Sequence, residues 1–100
     1  MQLSRTEFCA FDWDDAKRLS NFLKHGIDFE TAVFALKELH VEIRSDKRGE
    51  VRTQAICRDS GRIITVIYTV RGDVCRVISA RPASKHERAI YHDSDAGRTS

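Results

Sequence analysis

VRTQAICRDSGRIITVIYTVRGDVCRVISAR, Val51 to Arg81, contains three strand-like runs separated by two tight turns. Val51 to Arg58 alternates, with Val51, Thr53, Ala55 and Cys57 on one face and Arg52, Gln54, Ile56 and Arg58 on the other. Asp59-Ser60-Gly61 has hairpin-turn composition. Arg62 to Val70 is apolar on both faces, the pattern of a central strand. Arg71-Gly72-Asp73 then turns the chain into a further strand, Val74 to Arg81. Connections this short admit only antiparallel neighbours. Upstream, Val41 to Arg44 alternates ahead of the turn Asp46-Lys47-Arg48-Gly49, which extends the pattern to a four-stranded meander.

Working outward, Pro82 halts the last strand because it has no N–H for the ladder. Ser84 opens a helix, and S-K-H-E, Ser84 to Glu87, has the capping-box pattern. His92 to Ser100 is polar and aperiodic and reads as a flexible tail to a single domain spanning 1–91. On the N-terminal side, Glu7 to Trp13 reads as a first strand. Asp14 and Asp15 open a helix whose apolar stripe is Ala16, Leu19, Phe22 and Leu23 and whose end is Gly26. Asp28 caps a second helix that buries Phe29, Ala32, Val33 and Leu36, close enough to the first to make an αα-hairpin. The predicted order is β-α-α-β-β-β-β-α, an α+β fold with an antiparallel sheet. The helices are expected on one sheet face, with the other partly open.

The 100 residues suit one small domain. Charged residues make up 32% of the chain but net only +2, so nucleic-acid affinity must come from local arginine clusters rather than bulk charge. The start is polar and lacks a targeting segment, and Ile63 to Val70 is too short to span a bilayer, so a cytoplasmic protein without a membrane partner is expected. Cys9, Cys57 and Cys75 form no C-x-x-C and read as buried thiols. Asp14 and Asp15 diverge on a helix and make a poor metal pair, so neither a metal site nor a cofactor is expected.

Three segments share a family pattern. They are Trp13-Asp14 with Lys17 and Asn21 leading into K-H-G-I-D-F-E (Lys24 to Glu30); Gly49-Glu50 with Arg52, then Gly61-Arg62 and the strand ending Tyr68-Thr69; and R-V-I-S-A-R-x-A-x-x-x-E-R-x-x-Y (Arg76 to Tyr91). The combination resembles the BrnT toxins of bacterial type II toxin–antitoxin systems. The resemblance implies a RelE-like fold and metal-independent endoribonuclease activity that arrests growth. It also implies a BrnA-type ribbon-helix-helix antitoxin that neutralises the toxin and represses the shared operon, so that operator DNA is reached only through the antitoxin. Pro82 departs from the pattern, which is expected to have a basic or polar residue there.

The candidate catalytic residues are Arg81, Lys24, His25, Glu50 and Arg52. Arg81 leaves a strand beside a helix N-terminus; its guanidinium is expected at the surface and suits a phosphate, with a salt bridge to Glu87 as the competing use. Lys24 and His25 also satisfy a helix C-terminus, although a histidine can move protons near neutral pH. Glu50 and Arg52, two apart, suit a base and a phosphate clamp, or an exposed pair. The candidate RNA-binding residues are Arg76, Arg88, Tyr91 and Trp13, the last two for stacking. Arg76 and Arg81 are five positions apart, an odd offset, so a regular strand puts them on opposite faces; a bulge or the strand end is needed to reconcile them. Glu87 reads as the capping partner and His86 as exposed. The competing function is a non-catalytic nucleic-acid- or protein-binding module that acts as a corepressor within a complex.

Overall fold

The turns after Asp59 and Arg71 fold the central segment back on itself twice. Ser60 and Gly72 take up the left-handed backbone at these turns, at φ 55° and 65°. The computed structural model describes residues 2–5, 8 and 10–98. In chain order the elements are β1 (Gln2–Ser4), β2 (Ala10–Asp12), α1 (Asp15–His25), α2 (Phe29–Leu36), β3 (His40–Arg44), β4 (Thr53–Asp59), β5 (Arg62–Arg71), β6 (Val74–Pro82), α3 (Lys85–Asp93) and α4 (Asp95–Arg98). They form a six-stranded sheet in the order β1-β3-β4-β5-β6-β2. Each pairing is antiparallel except β2 with β6. The meander is the one expected. The first predicted strand is represented by β2, with Glu7 and Cys9 outside the described residues. β1 falls within the polar start and α4 within the segment expected as a tail; Ala96 of α4 is buried and packs in one cluster with Tyr91.

The helices occupy both sheet faces rather than one. On β4, Ala55 and Cys57 share a core with Phe29, Ala32, Ala35 and Leu36 of α2. Between them Ile56 points the other way, into a second core with Val41, Ile63, Ala83 and Tyr91. The apolar residues of that second face need cover, and α3 supplies it after Ala83 N–H donates to Ile63 O at 3.0 Å. The predicted capping box starts α3: Ser84 Oγ accepts from Glu87 N, and Glu87 Oε1 accepts from Ser84 N. On the first face, a buried polar cluster ties β3 to β5. His40 lies against Glu42 Oε2, and Tyr68 donates to the same carboxylate.

α1 does not lay its apolar stripe on the sheet. Leu19, Phe22 and Leu23 are 60%, 50% and 76% exposed, and the buried residue of the helix is Asn21. β2 pairs with β6 only as far as Arg76, so β6 beyond that point has a free edge. Asn21 fills it. Its Nδ2 donates to Ala80 O at 2.8 Å and to Ile27 O at 3.0 Å, while its Oδ1 accepts from Ala80 N at 3.1 Å. The carboxamide thus takes the place of a neighbouring strand and pins α1 to the sheet edge.

Removing these bonds orphans buried backbone groups, each worth about 1–3 kcal/mol. Asn21→Ala is expected to lower unfolding free energy by about 3 kcal/mol or more, measured by urea denaturation. Asn21→Asp keeps an acceptor for Ala80 N–H but loses the amide donor, and is expected to be destabilised as well.

Candidate active site

The arginines of β6 are brought together by a fault in the ladder. Ile67 pairs with Ser79, but the next residue, Tyr68, pairs with Val77. Ile78 is therefore an extra residue, a β-bulge, and it resets the alternation of β6. Thr65 and Thr69 lie on one face of β5 and are opposite Arg81 and Arg76 respectively. Both arginines consequently belong to the second sheet face, about 13 Å apart along the strand. Gln54 of β4 lies across from Ile67 on this face, and Arg52, just before β4, falls in the same alternation. Arg52, Gln54, Arg76 and Arg81 thus border the part of the face beyond α3.

Each arginine of this group already holds a carboxylate. Arg52 Nε donates to Glu50 Oε1 at 2.7 Å. Arg76 lies 3.2 Å from Asp12 of the adjoining β2. Arg81 grips Glu87 with both terminal nitrogens, at 2.7 and 2.9 Å. Glu87 is 5% exposed and also accepts from Gln54 Nε2 and from the Ser84 backbone. Burial pushes this carboxyl up, but the hydrogen bond from Arg81, that from Ser84 N and the charge of Arg81 more than offset it and hold it at about 2. Arg81 is therefore tied to a buried structural carboxylate rather than free at the surface.

The other candidates fall in separate places. Lys24 and His25 end α1, with Gly26 N–H donating to Phe22 O. His25 is half-buried one helical turn beyond Asn21, which puts it on the β6 edge near Ala80. Glu50 lies with Arg52 across the sheet from β6. Arg88 is exposed on α3 and donates to Ala83 O at 2.9 Å. Tyr91 is 2% exposed inside the second core, so its ring does not stand on the surface. Trp13 is half-buried; its ring packs edge-on to Phe29 and lies 5.4 Å under the Arg18 guanidinium. Asp12 and Gln54 were not singled out in the sequence. The alternation of Gln54 with Ile56 and Arg58 was the available signal. Burial pushes the Cys75 thiol up to about 12 and moves Cys57 in the same direction, consistent with inert thiols. Among the described residues, no three His, Cys, Asp or Glu side chains are grouped to hold a metal, and no helix is long and apolar enough to cross a membrane.

Fold and sheet face together define a class, a small α+β domain with an arginine-bordered, partly open sheet face. The family model described as "Ribonuclease toxin, BrnT, of type II toxin-antitoxin system" matches residues 13–87, and the chain belongs to that family. It is a ribonuclease toxin of a type II toxin–antitoxin system, with RNA as substrate and a cognate antitoxin as partner. No curated protein matches the chain.

Removing the Arg81 side of this half-buried pair leaves Glu87 with its bonds from Gln54 and Ser84 but without a counter-charge, at a cost of about 1–3 kcal/mol. Arg81→Ala is therefore expected to lose stability on that order, well above the value for a surface arginine. The Glu87 carboxyl falls from 4.5 to about 2 on folding, so its contribution is complete above pH 4.5 and is lost as pH falls through 2. Urea denaturation across pH 7 to 2 is expected to show this acid-side loss in the parent and a much smaller one in Arg81→Ala.

Proposed function

We propose that this toxin is an endoribonuclease that cleaves RNA on the sheet face bordered by Arg52, Arg76 and Arg81, by attack of a 2′-OH on its adjacent phosphate. The observation that carries the reading is the Ile78 bulge, which brings Arg76 and Arg81 to one face. The reaction needs a proton taken from the 2′-OH, a proton given to the leaving 5′-oxygen, and stabilisation of a crowded anionic phosphorane. The guanidiniums supply the last requirement through the N–H groups not committed to Asp12, Glu50 and Glu87, and they provide the positive charge that a metal supplies in other ribonucleases. Lys24, His25 and Glu50 are the proton-transfer groups of this reading, in two locations: the β6 edge for the first two and the Arg52 side for Glu50. Arg88 on the exposed side of α3 serves RNA binding, and Trp13 lies on the opposite side of the fold, with α2. The cognate antitoxin in this reading is a BrnA-type ribbon-helix-helix protein that blocks the arginine face and carries the complex to operator DNA. Growth arrest follows from RNA loss.

The test is cleavage of a defined RNA by the purified chain. Products are expected to end in a 2′,3′-cyclic phosphate and a 5′-hydroxyl, and a chelator is expected to leave the rate unchanged. Arg76→Ala is expected to slow cleavage by about 100-fold, the scale for losing one transition-state donor. A magnesium requirement, or products with a 5′-phosphate, would overturn the mechanism. Growth on induction with and without the adjacent antitoxin gene tests the biological role.

A further inference from the structure

The far end of the second sheet face holds a cationic cavity that this reading of cleavage does not use. Arg58 lies at the opposite end of β4 from Arg52, about 20 Å along the strand. It lines a cavity of about 420 Å³ with Arg5, Glu38, Ser60, Tyr91 and Ala96. Its guanidinium is 5.8 Å from the centroid of the Tyr91 ring. That ring is buried in the core, so the cation–π contact holds the guanidinium against a fixed partner.

Three observations point to a missing acceptor. Arg58 Nε is buried and has no hydrogen-bond partner among the described residues, a condition rare in folded proteins. Unlike Arg52, Arg76 and Arg81, Arg58 has no ion pair among the described residues. Arg5 adds a second cation, and the carboxylate in the lining, Glu38, pairs with neither arginine.

We propose that this cavity is a phosphate-binding site, filled by a phosphate group of the RNA backbone or by free phosphate. A guanidinium fork, a second arginine and the Ser60 hydroxyl offer donors from several sides, which suits a tetrahedral oxyanion better than a planar carboxylate. The RNA substrate carries a phosphate at every nucleotide, and Arg58 stands on the same sheet face as Arg52, on the other side of the α3 cover. The inference is independent of the roles given to Arg76 and Arg81, because none of its residues is shared with them.

The experiment follows the Arg58 Nε–H resonance of the ¹⁵N-labelled full chain, assigned by its disappearance in Arg58→Lys. The probes are inorganic phosphate at constant ionic strength and a short fully 2′-O-methylated RNA, which lacks the nucleophile. Phosphate is expected to shift the resonance saturably, whereas chloride at equal ionic strength leaves it in place. If the oligonucleotide also shifts it, and Arg58→Gln lowers the salt dependence of oligonucleotide binding by about one ion, RNA is the source. A shift with phosphate but not with the oligonucleotide assigns the site to free phosphate. The proposal is overturned if neither probe moves the resonance, if chloride moves it equally, or if acetate matches phosphate. The parent titration decides the matter even if Arg58→Gln fails to fold. Failure of the proposed cleavage face would appear instead as cleavage insensitive to Arg76→Ala, with the Arg58 titration unchanged.

Discussion

Everything on the β6 side of the molecule depends on one carboxamide. A sheet edge presents unpaired N–H and C=O groups, and burying them without partners is costly. β2 is too short to cover β6 beyond Arg76, and Asn21 meets both groups of Ala80 instead. This fixes the rotation of α1, because the side of the helix that carries Asn21 must face the strand. The apolar stripe then turns outward. With Gly26 ending the helix, this anchoring brings the last turn of α1, which carries Lys24 and His25, to the β6 edge.

A second constraint lies one residue away. Glu87 caps its own helix, accepts from Gln54 on β4 and pairs with Arg81 on β6. One buried carboxylate thus joins α3, β4 and the end of β6. A buried pair of this kind contributes less net stability than its distances suggest, because two charges lose their hydration. What it does provide is geometry. The Arg81 guanidinium is held by two bonds in one plane, and the strand end cannot swing without breaking them.

The meander was legible in the sequence because its turns are short and its alternation is clear: Asp59-Ser60-Gly61 and Arg71-Gly72-Asp73 leave no choice of topology. The Ser84–Glu87 capping box and the Gly26 stop were legible for the same reason, since local chemistry fixes them. The side of the sheet taken by α3 was not, because Pro82 marks where a strand stops and not where the chain goes next. Periodicity located the stripe Leu19, Phe22, Leu23 but cannot say whether a stripe faces a core or solvent; the tertiary bond of Asn21 decided it. Arg76 and Arg81 looked incompatible by counting, and only the register of β5 against β6 shows the bulge that reconciles them. Tyr91 sat in a surface-like motif and became core, because α4 and the second sheet face close over it.

The pairing of each arginine on the proposed face with its own acid sets the character of any anion that docks there. Such a ligand does not meet bare cations surrounded by mobile counterions. It must take over donors now committed to Asp12, Glu50 or Glu87, or share them. The gain on docking is then the difference between two hydrogen-bonded states, and fewer small ions are set free than a count of arginines implies. The three acids are therefore resident competitors. Asp12 and Glu50 are the more exposed of the three, whereas Glu87 is held in place by its own helix cap and by Gln54, so a ligand at Arg81 has to share the guanidinium with it.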